Sequence, residues 1–570
     1  MRPRNAYLIL SLTLATFALL FLFPLATVLR GGFVDPTSGG FTTRYVAEVF
    51  RNPIYAQGLL NSVMIAVGTT TLVTLIAVPL AVLNTRYDFP FKKLISALVL
   101  VPMILPPFVG AIGFQQLLGQ YGVINTALNL GPVDWLGNGR YFGVITLQAL
   151  GLYPILYLNV SAALANIDPA MEHAAANLGA SALTRFRRIT LPLIMPGLFA
   201  GGTIVFIWSF TELGTPLIMN YYRCTPVQIF DTMKEIGSSP FPYALVFVML
   251  VVSLGLYALT KLTFGRQSYA AATKATVSAG PRKLASARGL LVLAPFVLVT
   301  FVALLPHLGV VLTSVARPGS WYQSVLPQQY TTANYAEALG HSMTVSSIKN
   351  SLLYSTLAVF FNIVLGVAIA LVVVRSTIRV RHALDTIAML PLAVPGIVIA
   401  FGYLAISSAL TQTAAVKDSP FLKSLFDVQT NPTLFLVIAY AVRRLPYMVR
   451  SAVAGLQQTS ATLEEASANL GARWPTTLRR ITVPLILANL IAGAMLAFAF
   501  SMLEVSDSIM LAQRQDYWPI TKTIYELFQL IGTGKYVAAA LGVWAMAFLA
   551  ATILGASLLL GKKLGAIFRV

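Results

Sequence analysis

Charged residues are scarce in this sequence. Only 10% of its 570 residues are Asp, Glu, Lys or Arg, whereas soluble proteins carry about a quarter. This scarcity argues against a water-soluble enzyme, and the hydrophobic fraction of 57% excludes a disordered chain. The single cysteine, Cys224, excludes an internal disulfide bond and a thiolate metal cluster. The four histidines are scattered without metal-ligand spacing, so we expect no metal site.

Long apolar runs are abundant instead. A membrane-spanning helix needs about 20 apolar residues, and the mean hydropathy of the chain is +0.77. The sequence therefore predicts an all-α integral membrane protein with about 12 transmembrane helices, near residues 6–29, 59–83, 94–114, 141–165, 198–218, 243–264, 289–315, 351–374, 384–410, 433–454, 491–511 and 536–560.

The net charge of +20 comes from 39 Lys and Arg against 19 Asp and Glu. In a soluble protein this excess would suggest nucleic-acid binding. Here the basic residues lie between apolar runs and favour alternate segments, starting with the N-terminal one, so we expect no nucleic-acid partner. The positive-inside rule then predicts that both termini are cytoplasmic.

The chain contains an internal duplication. Glu464 follows Glu172 by 292 positions, and the same offset relates Pro446 to Pro154 and Glu504 to Glu212. Nearer the start of each copy the offset is 289, as between Asn61 and Asn350. Since each copy has an even number of spans, the two repeats are expected to be parallel. We predict a first repeat at residues 1–264, a cytoplasmic linker at 265–288 and a second repeat at 289–570.

One motif stands between the fourth and fifth spans of both repeats. It consists of an Ala-rich helical stretch, then Leu-Gly-Ala, a basic patch and Ile-Thr-Leu-Pro or Ile-Thr-Val-Pro. Alanine and leucine favour a helix and glycine ends one. An ordinary amphipathic loop helix would explain one copy, but two copies at the same place in each repeat favour a docking element.

This motif resembles the "EAA loop" of bacterial ABC importer permeases of the maltose-type fold. The second copy reads Glu465-Ala466-Ser467, then Gly471 and Ile481-Thr482-Val483-Pro484, and Glu464 precedes it. The first copy has His173 at the family's Glu position and Glu172 one place earlier, followed by Ala174, Gly179 and Pro192. The resemblance covers the whole chain and implies a type I ABC importer permease fold, with two fused six-helix domains in the bacterial inner membrane.

The resemblance also implies how such a chain works. In that family the EAA helix couples the permease to a cytoplasmic ATPase, so the ATPase-coupling candidates here are Glu172, His173, Ala174, Gly179, Glu464, Glu465, Ala466 and Gly471. No Gly-x-x-x-x-Gly-Lys-Ser/Thr phosphate loop occurs in the chain. We therefore expect a transport subunit that is not an enzyme and has no cofactor of its own. Two copies of a separate ATPase would bind ATP-Mg, and a periplasmic or lipid-anchored binding protein would deliver the solute.

Charged residues inside spans are costly and are candidates for the transport pathway. Glu212 and Glu504 are aligned in the fifth spans of the two repeats. They predict an outer gate or weak cation site, or else a pair of acids that hold the helix bundle together. Arg443 and Arg444 lack counterparts in the first repeat. Pairing with Glu504 is the preferred interpretation, and contact with an anionic substrate is the alternative.

The substrate prediction depends on the resemblance alone. Fusion of both repeats, together with the phrases Ile207–Pro216 and Tyr440–Pro446, is most similar to the ferric-iron permeases. Phosphonate, polyamine and sugar-phosphate importers share much of this pattern. A secondary transporter of twelve spans is a less favoured class, because such a carrier has no reason to carry the EAA motif twice. A channel or a non-transporting scaffold is the third class.

Overall fold

The computed structural model describes residues 3–35, 38–104, 106–137, 140–165, 167–236, 238–264, 282–284 and 286–560. The protein is almost entirely helical in these ranges. The first repeat contains helices Pro3–Phe17, Ala18–Leu22, Phe23–Gly31, Arg44–Arg51, Pro53–Arg86, Lys92–Leu98, Val101–Ile104, Pro107–Leu118, Val123–Ala127, Tyr141–Ala165, Pro169–Asn177, Ala182–Arg185, Phe186–Thr190, Leu191–Thr211, Gly214–Ile218, Thr225–Thr232, Met233–Glu235 and Phe241–Phe264.

The second repeat follows the same order. Its helices are Ser286–Val315, Ala333–Gly340, Ser342–Arg375, Arg381–Met389, Leu390–Leu392, Gly396–Thr411, Ala414–Lys417, Pro420–Phe426, Thr433–Gln458, Thr462–Asn469, Trp474–Thr477, Leu478–Thr482, Val483–Leu485, Leu487–Met502, Ser506–Leu511, Gln515–Tyr517, Ile520–Gln529 and Gly534–Leu560. In the described ranges the strands are Tyr87–Asp88 and Arg282–Lys283, which pair in parallel. Most of the predicted linker, residues 265–281 and 285, lies outside the described residues.

The predicted all-α membrane fold is confirmed. Eight described helices are long and apolar enough to cross a membrane, and three bent helix pairs raise the number to 11. A further long helix, Thr433–Gln458, stands where the tenth span was predicted, and it is less apolar because it carries Arg443, Arg444 and Arg450.

The third spans are sharply bent rather than gently kinked. Segments Lys92–Met103 and Pro107–Ala127 meet at 95°, and segments Arg381–Leu392 and Gly396–Thr411 meet at 92°. Proline residues precede or begin the second segment of each pair, where their missing N–H groups interrupt the helical hydrogen bonds.

The first span of each repeat packs against the other repeat. A Cβ atom on Gly113 would lie 2.0 Å from the carbonyl oxygen of Pro306, and one on Gly402 would lie 2.9 Å from Cβ of Pro24. Gly113 and Gly402 are equivalent residues of the third spans, so the first span of each repeat packs against the third span of the other. Small residues allow this close approach of helices.

Candidate functional site

Two equivalent short helices carry the repeated motif, Pro169–Asn177 and Thr462–Asn469, and we call them the motif helices. Asp168 caps the first by accepting a hydrogen bond from the backbone N–H of Ala170 at 2.9 Å. Gly179 and Gly471 follow the two helices with φ of +81° and +82°. This left-handed conformation favours glycine and ends both helices at the same place.

Each motif helix presents an exposed face. The predicted docking residues His173, Ala174, Glu465 and Ala466 are all exposed. Leu178 and Leu470, equivalent residues after the helices, are 89% and 88% exposed. The same large apolar side chain is thus exposed at the same place in both repeats.

The glutamate one residue before the family's Glu position, Glu172 or Glu464, points away from the exposed face. Glu172 accepts hydrogen bonds from Arg86 and from the hydroxyl of Thr190, the latter at 2.5 Å. Glu464 accepts one from Arg375 Nε at 3.2 Å and one from the hydroxyl of Thr482 at 3.3 Å. Arg375 is equivalent to Arg86, and Thr482 to Thr190. We call each set of three residues an Arg–Glu–Thr clamp.

The clamps fasten each motif helix to two other elements. Arg86 and Arg375 are the last residues of the two longest helices, Pro53–Arg86 and Ser342–Arg375, which we call the long helices. The threonines close the π-helical turns Phe186–Thr190 and Leu478–Thr482 that lead into the fifth spans. The threonines belong to the repeated Ile-Thr-Leu-Pro and Ile-Thr-Val-Pro phrases, whereas sequence reasoning did not single out the two arginines, although the offset of 289 relates them.

The fifth spans are broken, in contrast to the predicted continuous helices. The first ends at Thr211 and the chain resumes as a helix at Gly214, while the second ends at Met502 and resumes at Ser506. Glu212 and Glu504 therefore stand at helix breaks. Their carboxylates can meet polar groups that a continuous helix would already have used within its own hydrogen bonds.

Glu212 is held by neutral groups. Its carboxylate accepts hydrogen bonds from the backbone N–H of Thr215 at 2.9 Å and from Gln148 Nε2 at 3.4 Å. Ser209 donates to the Oε1 of the same Gln148 at 2.5 Å, which orients the amide. The ion pairs among the described residues include none to Glu212.

Glu504 is held by cations. Arg443 and Arg444 both donate to its carboxylate, and Arg443 also reaches Asp507 Oδ2 at 3.4 Å. Arg444 donates to the carbonyl of Phe500 at 3.0 Å. The interhelical ion pair is thus the interpretation that the structure supports. Asp507, fully buried and equivalent to Thr215, was missed in the sequence, where its charge inside a span was the available signal.

A size exchange explains why the second repeat has room for Arg443. A Cβ atom on Gly396 would lie 2.0 Å from Arg443 Nη1, so the guanidinium occupies the space beside this glycine. In the first repeat the equivalents are reversed in size. Gly151 replaces Arg443, Pro107 replaces Gly396, and a Cβ atom on Gly151 would lie 2.9 Å from Cγ of Pro107.

The two breaks adjoin where the repeats meet. A Cβ atom on Gly214 would lie 2.8 Å from Cγ1 of Val505 and 3.0 Å from Cβ of Phe108. The predicted pathway residues are therefore brought to one place between the repeats. The second break carries two arginines against Glu504 and Asp507, whereas the first carries Glu212 alone. Among the described residues, no group of three His, Cys, Asp or Glu side chains is arranged to hold a metal ion.

A cavity of about 680 Å³ also lies between the repeats. Polar and basic side chains dominate its wall: Lys234 comes from the first repeat, and Lys417, Lys423 and Lys522 come from the second. Asp427 is the acidic residue in this lining. Lys522 pairs with Glu526 at 2.6 Å, and the other three lysines create a positive potential that attracts anions.

Comparison with known proteins places this arrangement among transport proteins. The model of the family described as binding-protein-dependent transport system inner membrane component matches twice, at residues 73–267 and 362–559. A probable ABC transporter permease protein of Sinorhizobium fredii is 27% identical over 463 residues, which are 79% of this chain and 78% of that protein.

Two further relatives have substrates in their names. The ferric transport system permease protein of Actinobacillus pleuropneumoniae is 25% identical over 496 residues, covering 82% of this chain and 65% of that protein. The spermidine/putrescine transport system permease protein of Haemophilus influenzae is 28% identical over 225 residues, covering 39% of this chain and 82% of that protein.

Proposed function

Because this chain belongs to the family of binding-protein-dependent transport system inner membrane components, as a fused and duplicated ABC permease, we propose that it imports ferric iron. The chain is a transport component of the bacterial inner membrane, and its family implies an ATPase and a solute-binding protein as partners. We further propose that two ATPase copies bind ATP-Mg and that both termini of the chain are cytoplasmic.

The observation that carries the choice of a cation is Glu212. Its carboxylate lies beside the contact between the repeats, and its hydrogen-bond partners are neutral. Glu212 is partly exposed, so its negative charge is accessible, and among the described residues it has no cationic side chain to compensate it. A passing cation would supply the compensating charge, whereas the arginines at the other break are already compensated by Glu504 and Asp507. The name of the ferric relative, aligned over most of this chain, supports iron among the cations.

Two ATPases match the two motif helices. Both helices expose the equivalent face, and the leucine that follows each helix, Leu178 or Leu470, is also exposed. An Arg–Glu–Thr clamp holds each helix on its opposite side. His173 in place of Glu465 makes the two faces chemically different. We propose that each exposed face binds one ATPase subunit. The arginines of the basic patch after each motif helix would then lie on the cytoplasmic side, as the positive-inside rule predicts.

The test is uptake by proteoliposomes that contain this chain, its ATPase and its binding protein. Radioactive ferric iron should accumulate across the membrane only when ATP is present on the side that carries the ATPase. A transport-inactive ATPase variant is the control. Iron accumulation without ATP would contradict the importer. ATP-dependent uptake of another solute with no uptake of iron would keep the importer and reject the cargo.

An anion such as a phosphonate is the second candidate cargo, and the lysine-lined cavity favours it. Lys234, Lys417, Lys423 and Lys522 outnumber the single Asp427 in its wall. Replacing Lys417 and Lys423 together with Gln should then weaken uptake of the anion and leave cation uptake unchanged. Unchanged anion uptake in this variant would reject the candidate.

A further inference from the structure

One buried amide of the second repeat has no part in the site described above. Asn362 lies near the middle of the long helix Ser342–Arg375 and is fully buried. Neither Nδ2 nor Oδ1 of its side chain has a hydrogen-bond partner among the described residues. A buried polar group without a partner is destabilising, and native proteins satisfy most such groups with protein atoms or ordered water.

Three helices of the second repeat meet close to this amide. Met448, in the helix Thr433–Gln458, touches the other two. A Cβ atom on Gly366 of the long helix would lie 2.5 Å from Cγ of Met448, and one on Gly493 of the fifth span would lie 3.3 Å from its Sδ. Gly366 comes one turn after Asn362 on the same helix face, so the amide lies one turn from this meeting point.

Arg444 lies at the level of Asn362. The long helix and the helix that carries Met448 run in the same direction, because Arg375, at the end of the former, donates to the carbonyl of Thr459, just after the latter, at 3.0 Å. One turn before the contact at Met448, the long helix therefore presents Asn362 and its neighbour presents Arg444.

The fifth span brings a third group to this level. Arg444 Nη2 donates to the carbonyl of Phe500 at 3.0 Å, and the next residue is the buried Ser501. Neither the Ser501 hydroxyl nor Arg444 Nε has a hydrogen-bond partner within the described ranges. With the amide of Asn362, this level holds unpaired N–H donors, an unpaired carbonyl oxygen and a hydroxyl that can donate or accept.

The first repeat packs its three helices in the same way without these groups. A Cβ atom on Gly201 would lie 2.8 Å from Cδ1 of Leu156, and these residues are equivalent to Gly493 and Met448. The equivalents of Asn362, Arg444 and Ser501 are Val73, Leu152 and Ser209. Val73 is fully buried, and Ser209 already donates to Gln148. Unpaired polar groups at this level are thus an addition that accompanies the arginines of the second repeat.

We propose that ordered water is buried among Asn362, Arg444 and Ser501, where it completes the hydrogen bonding of the arginine that holds Glu504. Water both donates and accepts, so it can satisfy the amide oxygen together with the N–H groups. An anion would leave the amide oxygen without a donor, and the guanidinium repels a cation. Asn362 is a positioning residue, because it fixes the water that orients Arg444.

X-ray radiolysis of the purified full chain in detergent tests this proposal. A pulse of X-rays splits water into hydroxyl radicals wherever water is bound, and these radicals oxidise the nearest side chains even where bulk solvent does not reach. Met448 is fully buried beside the three groups and should be oxidised several-fold faster than Met249, which is fully buried in the helix Phe241–Phe264. Equally slow oxidation of both methionines would overturn the proposal.

Asn362→Val and Asn362→Thr are a matched pair, because valine and threonine have the same shape and differ by a hydroxyl. Valine is also the residue that the first repeat carries at the equivalent position, Val73. Oxidation of Met448 should fall to the rate of Met249 in the valine variant and should persist in the threonine variant. Equal rates at Met448 in the two variants would overturn the role of Asn362.

The sign of the stability change separates bound water from an amide that is simply unpaired. If water bridges the three groups, Asn362→Val leaves Arg444 Nε and the Ser501 hydroxyl unsatisfied, and the unfolding temperature should fall by a few degrees. A rise would mean that an unsatisfied amide had been removed, and would overturn the proposal.

An exchange of chloride for gluconate in the buffer should change neither the oxidation rate of Met448 nor the unfolding temperature. A change in either would identify a bound anion and reject water. The proposal does not depend on the proposed cargo. None of these measurements involves uptake, so their outcome is the same whether or not the chain imports iron.

Discussion

Gly179 and Gly471 show how one backbone angle fixes a partner surface. Both adopt φ near +80°, and open space surrounds the position of a Cβ atom at each. A substitution there is therefore strained by the backbone alone, since L-residues pay roughly 1–2 kcal/mol for this conformation. The strain falls on the turn that presents Leu178 and Leu470.

Gly471→Ala should weaken ATPase association without unfolding the spans. The change costs about 1 kcal/mol in the turn after the second motif helix, and the exposed Leu470 moves with that turn. Co-purification of the ATPase measures the effect. Gly340→Ala is the control, because Gly340 also lies in open space but has no left-handed angle, and equal losses in both variants would contradict the prediction.

Gly396 is the residue on which the charged cluster of the second repeat depends. Gly396→Ala would place Cβ against the Arg443 guanidinium, which must then leave Glu504. We expect the free energy of unfolding to fall by roughly 1–3 kcal/mol, the cost of a broken buried hydrogen bond to a charged group. Thermal unfolding in detergent measures this.

Gly202→Ala is the comparison for that experiment. Gly202 lies inside the helix Leu191–Thr211, and a Cβ atom there would have its nearest neighbour, Cγ2 of Thr70 in the helix Pro53–Arg86, at 3.9 Å, an ordinary contact distance. Its stability should stay the same or rise slightly, because alanine is the better helix former. A Gly396→Ala protein as stable as Gly202→Ala would show that Arg443 does not need this space.

At the scale of elements, the two broken spans are equivalent in position and different in charge. Glu212 caps the helix Gly214–Ile218 through the N–H of Thr215, and a neutral amide could make the same bond. Glu504 instead holds two arginines in the bundle. The second break thus holds helices together through charge, whereas the first holds its carboxylate with neutral groups.

Glu504→Gln should destabilise the protein by about 3 kcal/mol, because it leaves buried arginine charge uncompensated. Glu212→Gln should leave the unfolding temperature nearly unchanged and should reduce cation uptake. Unfolding and uptake of the two purified variants give the comparison, with the exposed Glu337→Gln as control. Equal destabilisation of both would contradict the division of roles.

At the scale of the whole molecule, one chain supplies what two subunits would supply in an unfused permease. The first span of each repeat packs on the third span of the other through Gly113 and Gly402. Each repeat therefore completes its partner, and the two motif helices belong to one folded unit. This reciprocity follows from the duplication, since the same contact surfaces occur in both copies.

The purified complex should contain one copy of this chain and two ATPase subunits, because each motif helix offers one docking face. Native mass measurement in detergent determines the stoichiometry. Combining Glu465→Arg with Gly471→Asp should remove one ATPase and leave the other on the first motif helix. A wild-type complex with a single ATPase would contradict the prediction.

The membrane fold, the duplication and the position of both motif helices could be predicted from the amino-acid sequence. Apolar length, residue type and constant spacing are local properties, and a bilayer leaves few alternatives to the helix. The same signals located Glu212, Glu504 and the arginines as charges within spans. They could not distinguish a pathway role from an ion pair, since that depends on which side chains meet.

Which side chains meet depends on how the helices pack. In the folded chain Arg443 and Arg444 pair with Glu504, and Glu212 lies among neutral groups. Glu172 and Glu464 point inward to the ends of the long helices. Arg86 and Glu172 are far apart in the chain, so no periodicity could join them. Their contact exists because packed helices bring residues together that are distant in the chain.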